Sequence, residues 1–262
     1  MMDSNSHRNS PRQSLNSHHI SPPVAIIANA TPRLNKWILD RILADSRLEA
    51  GSGGIIPVSE LNVGSGIVPP SHIICLDGIF RHAYRAGIRP DVILGDLDSI
   101  TKNDIRLAKE LDIPVLSMPD QNHSDFAKGI SYCLEKYPNT EIVIYNALGG
   151  DRLDHTLVNL GYLKRFFSKN RTIILVEKWQ KTQFHSNEIL RIRGPIGSDL
   201  AVMSMPKARV SSNGLLYDMK EAELEVGRFE SSSNAMACSE AIIIIEGDCL
   251  VVLSHSQELM RE

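Results

Sequence analysis

The pattern of apolar residues divides the chain into two parts with different periodicities. From Val24 to about Glu177, short apolar runs alternate with segments in which apolar residues recur every three or four positions. That alternation is typical of a parallel sheet flanked by helices. A buried strand is apolar throughout, whereas an amphipathic helix is apolar on only one face. After Glu177 only short strand-like runs remain. The sequence therefore predicts an α/β domain at 22–176 and an all-β domain of sandwich or barrel type at 177–262.

The elements of the first part can be placed along the chain. The predicted strands are Val24–Ala28, His72–Leu76, Asp91–Leu94, Pro114–Ser117, Glu141–Ala147 and Thr172–Val176. The predicted helices are Leu34–Ser46, Ile79–Ala86, Thr101–Leu111, Ser124–Tyr137 and Leu153–Ser168. We expect the last helix to lie flat on the sheet, because one face carries large apolar side chains at helical spacing: Leu153, Leu157, Leu160, Leu163 and Phe167.

The second part contains strand-like runs separated by turn signals. The predicted strands are Glu188–Ile192, Leu200–Met205, Leu224–Val226, Ala241–Ile245 and Cys249–Leu253. Asn213-Gly214 predicts a turn, and Gly247-Asp248 predicts a hairpin that joins the last two strands.

Charge and composition restrict the partners of this chain. With 262 residues and a formal net charge of −3, the chain lacks the basic excess of a nucleic-acid-binding protein. No apolar run approaches the roughly 20 residues that span a bilayer, and the N-terminus has no signal-peptide core. We therefore expect a cytoplasmic protein that binds neither nucleic acid nor membrane. The four cysteines have no metal-ligand spacing, which favours reduced, buried thiols.

Two polar segments are expected to lie outside the folded core. Residues 1–21 are rich in Ser, Asn, His and Arg and predict a disordered tail with solvated histidines. Residues 51–70 contain Gly-Ser-Gly-Gly and Gly-Ser-Gly and predict a surface loop. These glycines do not join a strand to a helix, and the chain has no Walker motif. Any nucleotide must therefore bind without either of these loops.

Two carboxylates follow the predicted strand at Asp91–Leu94. In extended backbone, Asp96 and Asp98 would point to the same side and share one divalent cation such as Mg²⁺. The alternative is an Asx turn that caps the next helix. The sequence leaves both interpretations open.

Two further polar clusters follow predicted strands, at the edge where open α/β sheets bind their ligands. Asp77 and Gly78 predict either a carboxylate in a cleft or a plain turn. Farther along, Asp125 and Lys128 share one face at the start of a helix. The alternative there is capping by Ser124 together with a solvated ion pair.

A last cluster runs from Gly149 to His155. Two glycines let backbone N–H groups approach phosphate closely, and Arg152 can bind phosphate through two hydrogen bonds. Asp154 would cap the helix or support a neighbouring ligand group. A common loop-to-helix transition is the alternative.

In this order and at these strand ends, the clusters resemble the thiamine pyrophosphokinase family. The family pattern is Asp-Gly-Gly-Ala-Asn, Gly-Asp-Phe-Asp-Ser, Asp-Gln-Asp-x-Thr-Asp-x-x-Lys, Gly-Gly-Arg-x-Asp-His, Thr-x-Gly-Leu-Lys-Trp and Ser-Asn. The matching segments are Asp77-Gly78, Gly95–Ser99, Asp120–Lys128, Gly149–His155, Asn213–Tyr217 and Ser233-Asn234. The resemblance covers about residues 72–255.

The resemblance implies an activity and an architecture. The activity is transfer of pyrophosphate from ATP to the hydroxyethyl oxygen of thiamine, which gives thiamine diphosphate and AMP. The architecture is a homodimer in which each subunit joins a Rossmann-like parallel-sheet domain, which binds ATP, to a β-sandwich domain. Thiamine is expected near the subunit interface.

The resemblance also implies residue roles. The Mg²⁺ ligands would be Asp96, Asp98 and Asp125. The ATP contacts would be Gln121, Ser124, Lys128, Arg152 and Asp154. The thiamine contacts would be Tyr217, Ser233 and Asn234. The catalytic residues would be Asp77, Asp98 and Arg152, with either aspartate as the general base.

Several departures from the family pattern affect these expectations. The run Ile79–Arg81 replaces Gly-Ala-Asn and would put bulk near the substrate. Asn122 removes one negative charge near the metal, and Asp151 is an additional residue beside the phosphate loop. Leu216 replaces Lys, and Tyr217 replaces Trp but can still stack on a ring.

The metal carboxylates are intact, so we expect an active enzyme. Two alternatives remain from the sequence. One is a catalytically weak protein that binds thiamine or a nucleotide, and the other is a pyrophosphokinase for another hydroxymethyl heterocycle, such as a pterin.

Overall fold

A computed structural model describes residues 22–29, 36–45 and 70–261. The predicted tail at 1–21 and nearly all of the predicted loop at 51–70 lie outside these ranges. The strands are β1 (Val24–Ile27), β2 (His72–Leu76), β3 (Val92–Gly95), β4 (Val115–Ser117), β5 (Ile142–Tyr145), β6 (Ile173–Val176), β7 (Gln180–Arg193), β8 (Asp199–Asn213), β9 (Ala222–Glu225), β10 (Ser231–Ala235), β11 (Glu240–Ser254) and β12 (Glu258–Arg261). The helices are α1 (Lys36–Asp45), α2 (Phe80–Arg85), α3 (Lys102–Glu110), α4 (Asp125–Lys136) and α5 (Leu153–Phe166).

These strands form one mixed sheet. Its order is β10-β8-β11-β7-β6-β5-β1-β2-β3-β4, with β12 paired to β7 and β9 paired to β8. Neighbours among β1 to β6 are parallel, whereas β7 joins β6 in the antiparallel direction. The sheet therefore continues without interruption from the helical part of the chain into the part that contains only strands.

Strand β1 shows why the first part of the chain folds this way. Val24 and Ile26 are fully buried against a core that includes residues of α4 and α5. Ala25 and Ile27 are fully buried on the opposite face, against residues of α1, α2 and α3. A strand covered on both faces has no polar alternation, which explains the continuous apolar run in the sequence.

The strand order also decides where a ligand can bind. The central strand β1 lies between β2 and β5, so the chain leaves it toward one side and later returns on the other. At such a point the connections diverge and open a crevice outside the carboxyl ends of the strands. In this part of the described chain, that edge carries the predicted polar clusters.

The prediction that α5 lies flat on the sheet is wrong for its first turns. Leu163 is buried in the sheet core, but Leu153 is 70% exposed and Leu157 is 60% exposed. The first turns border the crevice instead of the sheet, because Asp154 and His155 line it. Only the second half of the helix packs on the strands.

The predicted hairpin at Gly247-Asp248 is also wrong. Strand β11 covers both apolar runs and pairs with β7 and β8 on each side of Gly247. Gly247 has a φ of +103°, and both ladders shift register beside it. The glycine therefore forms a bulge that bends the strand without reversing it. A Gly-Asp pair between apolar runs is compatible with either geometry.

The cysteine prediction is correct for three residues. Cys75, Cys133 and Cys249 are buried and free, whereas Cys238 is free but exposed. Burial raises the pKa of Cys133 to about 12. Cys238 follows the last strand residue of β10, outside the apolar runs that bury the others. Among the helices of the described ranges, none has the length and apolarity needed to cross a bilayer.

Replacing Gly247 with alanine should destabilise the fold. The new Cβ would lie 2.9 Å from the carbonyl oxygen of Lys207, in a backbone conformation that L side chains rarely adopt. We expect the free energy of unfolding to fall by about 2–4 kcal/mol in urea titrations. Gly197→Ala is the matched control, since Gly197 also has a positive φ but a Cβ there meets nothing within 4 Å. Equal losses for the two variants would contradict the steric argument.

Candidate active site

A cleft of about 480 Å³ opens at the carboxyl edge of the parallel strands. Its walls follow β1 to β4 and include the first turns of α5. Seven of the predicted site residues line it: Asp77, Asp96, Asp98, Gln121, Ser124, Asp125 and Asp154. Residues distant in the sequence meet here because parallel strands end at a common edge.

Three carboxylates approach one another within the cleft. Asp77 follows β2, Asp96 follows β3, and Asp125 is the first residue of α4. One oxygen of each lies within 4.8 Å of the corresponding oxygens of the other two. Carboxylates so close together repel one another unless a cation or a proton is shared among them.

Asp77 is the most deeply buried of the three. Its side chain is only 3% exposed, and within the described ranges its Oδ2 atom is buried without a hydrogen-bond partner. Burial, with smaller contributions from Asp125 and Asp96, raises the pKa of Asp77 to about 6. A hard divalent cation would satisfy this oxygen and offset the repulsion, and carboxylates are the ligands that Mg²⁺ prefers. The three residues therefore fit a magnesium site.

The segment from Asp96 to Asp98 is not extended. Leu97 has a φ of +68°, and the backbone N–H of Asp98 donates to Asp96 Oδ1 at 3.1 Å, which forms an Asx turn. This hydrogen bond is the largest cause that lowers the pKa of Asp96. Asp98 is exposed and accepts a hydrogen bond from Ser99 Oγ at 2.8 Å. It lines the cleft outside the group of three carboxylates.

Lys128 brings a buried positive charge to the carboxylates. Its Nζ atom lies 3.0 Å from Asp125 Oδ1 and 3.9 Å from Asp96 Oδ2, and its side chain is 5% exposed. The alternative of a solvated ion pair is therefore wrong, because α4 packs this face against β3 and β2. Ser124 caps α4, and its Oγ atom accepts a hydrogen bond from the N–H of Ala127 at 3.4 Å.

The glycine loop leads from β5 to α5. Gly149 and Gly150 have φ values of +80° and +77°, and a Cβ on Gly149 would meet nothing within 4 Å. Arg152 pairs with Asp154 through two hydrogen bonds, one of them 2.9 Å long. Their contact lowers the pKa of Asp154 to about 2. Arg152 is exposed, and its guanidinium is paired with Asp154 rather than with Asp77, Asp96 or Asp125.

The unusual residues after Asp77 do not crowd the cleft. Ile79 and Phe80 are fully buried in the core that contains α1, α2 and α3. Arg81 forms an ion pair with Asp104 of α3. The expectation that this run puts bulk near a substrate is therefore wrong. Asn122 does line the cleft, and its backbone N–H donates to Asp120 Oδ1 at 2.8 Å.

The predicted thiamine contacts do not line the cleft of their own chain. Asn234 is buried, and its amide group binds both the N–H and the carbonyl oxygen of Tyr217, at 3.0 and 2.8 Å. Tyr217 itself is 65% exposed, and Ser233 is exposed as well. Asn234 therefore positions the backbone that presents the Tyr217 ring.

Two asparagines of the cleft were missed by the sequence analysis. Asn29 lies two residues after the end of β1, so its position near a strand end was a signal that could have revealed it. Asn159 of α5 is buried and donates to the carbonyl oxygen of Ala147 at 2.7 Å. A polar residue beside the apolar face of a helix was the available signal for Asn159.

Comparisons with known proteins identify the family of this chain. Residues 69–175 match the family model for the catalytic domain of thiamin pyrophosphokinase. Thiamin pyrophosphokinase 1 of Caenorhabditis elegans is 32% identical over 174 residues, which cover 59% of this chain and 65% of that protein. Thiamine pyrophosphokinase 1 of Arabidopsis thaliana is 30% identical over 183 residues, covering 66% and 68%. The chain thus spans less than two thirds of the length of the nematode relative.

Solved structures share the fold. Thiamine pyrophosphokinase from Bacillus subtilis superposes with a TM-score of 0.67 at 19% identity, covering 88% of this chain and 98% of that one. The yeast thiamin pyrophosphokinase gives 0.68 at 15% identity, covering 89% and 86%. The fold and site define a mixed α/β protein with an acidic cleft at the carboxyl edge of its sheet. The chain belongs to the thiamine pyrophosphokinase family, which confirms the resemblance found in its motifs.

Replacing Asp77 with asparagine should stabilise the metal-free protein at neutral pH. The folded state raises the pKa of Asp77 to about 6, so between about pH 4 and 6 the folded state binds more protons than the unfolded state. The contribution of Asp77 to stability therefore falls as the pH rises through this window. In EDTA, we expect Asp77→Asn to raise the free energy of unfolding by about 2–3 kcal/mol more at pH 7.5 than at pH 4.

Urea titrations at the two pH values measure this difference. Asp112→Asn is the control, because Asp112 is exposed and lies between α3 and β4. This position is near the amino ends of the parallel strands, whereas the cleft is at their carboxyl ends. A stability change of Asp77→Asn that does not depend on pH would contradict the raised pKa of Asp77.

Proposed function

We propose that this protein is a thiamine diphosphokinase, which transfers a pyrophosphoryl group from ATP to thiamine and releases AMP. The observation that carries the proposal is the group formed by Asp77, Asp96 and Asp125 at the carboxyl edge of the sheet. Membership of the thiamine pyrophosphokinase family supports the substrates. The names of the relatives from Caenorhabditis elegans and Arabidopsis thaliana state the same activity.

In this proposal Asp77, Asp96 and Asp125 hold Mg²⁺, which supplies positive charge to the phosphate oxygens of ATP. Lys128 contributes a second positive charge, since its Nζ atom lies 3.0 Å from Asp125. Arg152 and Gln121 contact ATP, and Ser124 keeps the start of α4 in place. Asp154 holds the Arg152 guanidinium in one orientation.

The transfer needs positioning more than a strong base. The hydroxyethyl oxygen of thiamine attacks the β-phosphorus and forms a new P–O bond, while the bond between the β-phosphorus and the oxygen that bridges the α- and β-phosphates breaks, and AMP leaves with that oxygen. Asp77 belongs to the metal group, so we assign removal of the hydroxyl proton to Asp98. Asp98 lines the cleft outside that group, with its carboxylate exposed to a substrate.

Thiamine is bound in this proposal by residues 177–262, with the Rossmann-like residues 22–176 binding ATP. Tyr217 presents an exposed ring, but neither Tyr217 nor Ser233 lines the cleft of its own chain. A homodimer in which the β-sandwich of one subunit faces the cleft of the other would bring them together. The exposed Leu153 and Leu157 border that cleft and support such a contact. The free cysteines support a reducing, cytoplasmic location.

The alternative of a weak binding protein is not favoured. It depended partly on the bulk of Ile79, which is buried in the core. Transfer to another heterocycle is distinguished by the acceptor used in the assay below.

The purified protein should form AMP from ATP when both Mg²⁺ and thiamine are present, with thiamine diphosphate identified by mass.

Asp96→Asn should lower turnover at least about 100-fold and abolish thermal stabilisation by Mg²⁺, because a metal ligand is lost. Asp98→Asn should lower turnover but keep the stabilisation by Mg²⁺. Asp112→Asn should behave as wild type. Unchanged turnover in Asp96→Asn would contradict the metal assignment, and AMP formed only with a different acceptor would contradict thiamine as substrate.

Replacing Tyr217 with leucine should weaken thiamine binding. Loss of a stacked ring costs about 1–3 kcal/mol, so the KM for thiamine should rise about 10-fold while the KM for ATP stays unchanged. Tyr217→Phe keeps the ring and should retain a KM close to that of wild type. Steady-state kinetics with each substrate varied in turn test this expectation. Equal KM values for thiamine in the leucine and phenylalanine variants would rule out stacking.

A further inference from the structure

Glu177 contacts the start of the loop that carries Gly149 and Gly150 between β5 and α5. It follows β6, and its Oε1 atom accepts hydrogen bonds from the backbone N–H groups of Ala147 and Leu148, both at 2.9 Å. These two peptide groups come directly before Gly149. One carboxylate oxygen thus fixes the direction in which the chain leaves β5.

Helix α5 holds the same loop from the other side. Asn159 Nδ2 donates to the carbonyl oxygen of Ala147 at 2.7 Å. The Thr156 hydroxyl accepts from the N–H of Gly149 at 3.1 Å and donates to its carbonyl oxygen at 3.2 Å. The loop is therefore bound between two elements, and Glu177 supplies the only charged group among these three side chains.

The backbone of Glu177 is itself anchored. Its carbonyl oxygen lies 2.7 Å from His255 Nε2, and its N–H donates to the carbonyl oxygen of Gln180 at 2.9 Å. The His255 ring stacks on Trp37, with the ring centroids 4.6 Å apart. Because the backbone of Glu177 is already fixed, only its side-chain torsions lose freedom when the carboxylate binds the loop, so the two hydrogen bonds retain more of their strength.

The carboxylate also decides which amides of the loop can meet a phosphate. Two successive N–H groups that point the same way form a site for an anion. At Ala147 and Leu148 that site is filled by Glu177, so a phosphate oxygen must bind farther along, at the glycine turn or at Arg152. Burial raises the pKa of Glu177, while the two backbone hydrogen bonds favour its charged form.

We propose that Glu177 is a positioning residue for ATP, which holds the loop at Gly149–Arg152 in the shape that receives the phosphates. This assignment rests on the proposed function and deepens it. Glu177 acts through the loop and does not touch the substrate.

The test measures binding of a non-hydrolysable ATP analogue with Mg²⁺ by calorimetry, together with turnover. Glu177→Ala should weaken binding of the analogue at least about 10-fold, because two charge-assisted hydrogen bonds to the loop are lost. Glu177→Gln keeps an oxygen acceptor and should bind the analogue within about 3-fold of wild type. Hydrogen exchange at Ala147 and Leu148 should be faster in the alanine variant than in the glutamine variant.

Glu141→Ala is the matched control. Glu141 precedes β5 at the opposite edge of the sheet, and burial raises its pKa as it does for Glu177. This variant loses a similar carboxylate without touching the loop, so it should bind the analogue like wild type.

The possible outcomes distinguish a failure of the role of Glu177 from a failure of the proposed function. Tight binding by wild type, weak binding by Glu177→Ala and recovery in Glu177→Gln support it. Equal binding by wild type and Glu177→Ala overturns the role of Glu177, even where thiamine-dependent AMP formation establishes the function. Equal weakening in Glu177→Ala and Glu141→Ala also overturns it, because a general loss of stability then explains the effect. Absence of analogue binding by wild type overturns the proposed function together with this role.

Discussion

The mutual repulsion of Asp77, Asp96 and Asp125 is the constraint on which the site depends. One oxygen of each lies within 4.8 Å of the corresponding oxygens of the other two, and the buried ammonium of Lys128 offsets only part of the negative charge. The apolar strands beneath them therefore supply the stability that keeps the group together. Close packing contributes as well, because a Cβ on Gly95 would lie 2.6 Å from the carboxyl carbon of Asp77. Only glycine fits at that position without moving the carboxylate.

The same sheet connects this acidic edge with the rest of the chain. The carboxyl ends of strands β1 to β6 lie at one edge of the sheet, where the cleft opens beside β1 to β4. The antiparallel β7 continues the sheet into β11, β8 and β10. The strands of the second part share a core of their own. Contacts across the junction add to the connection, since Lys164 of α5 pairs with Asp248 of β11 at 2.8 Å and donates to the carbonyl oxygen of Met205. The pairing of β6 with β7 and these contacts together hold the two parts of the chain in place.

Local patterns predicted most elements of the fold but not their context. The six parallel strands lie where apolar runs indicated them, because full burial leaves a composition that can be read from the sequence. The bulge at Gly247 and the exposed start of α5 depend on which strands and which cleft lie nearby, and the sequence does not show this. The same reason applies to the site. Asp96 and Asp125 were identified by their strand and helix ends, whereas the place of Asp98 depends on the left-handed conformation of Leu97, a residue type that rarely adopts it.

In the proposed function, Tyr217 gives the second part of the chain a role beyond extending the sheet. An exposed aromatic side chain normally gains nothing from a fixed backbone, yet the buried Asn234 binds both backbone groups of Tyr217. Burying an amide in this way is favourable only when its hydrogen bonds are made. The buried Asn234 makes them with the backbone of Tyr217 and so orients this ring. In the proposed homodimer the ring reaches the cleft of the other subunit. Catalysis would then require both copies, because the carboxylates come from one subunit and the ring that stacks on thiamine comes from the other.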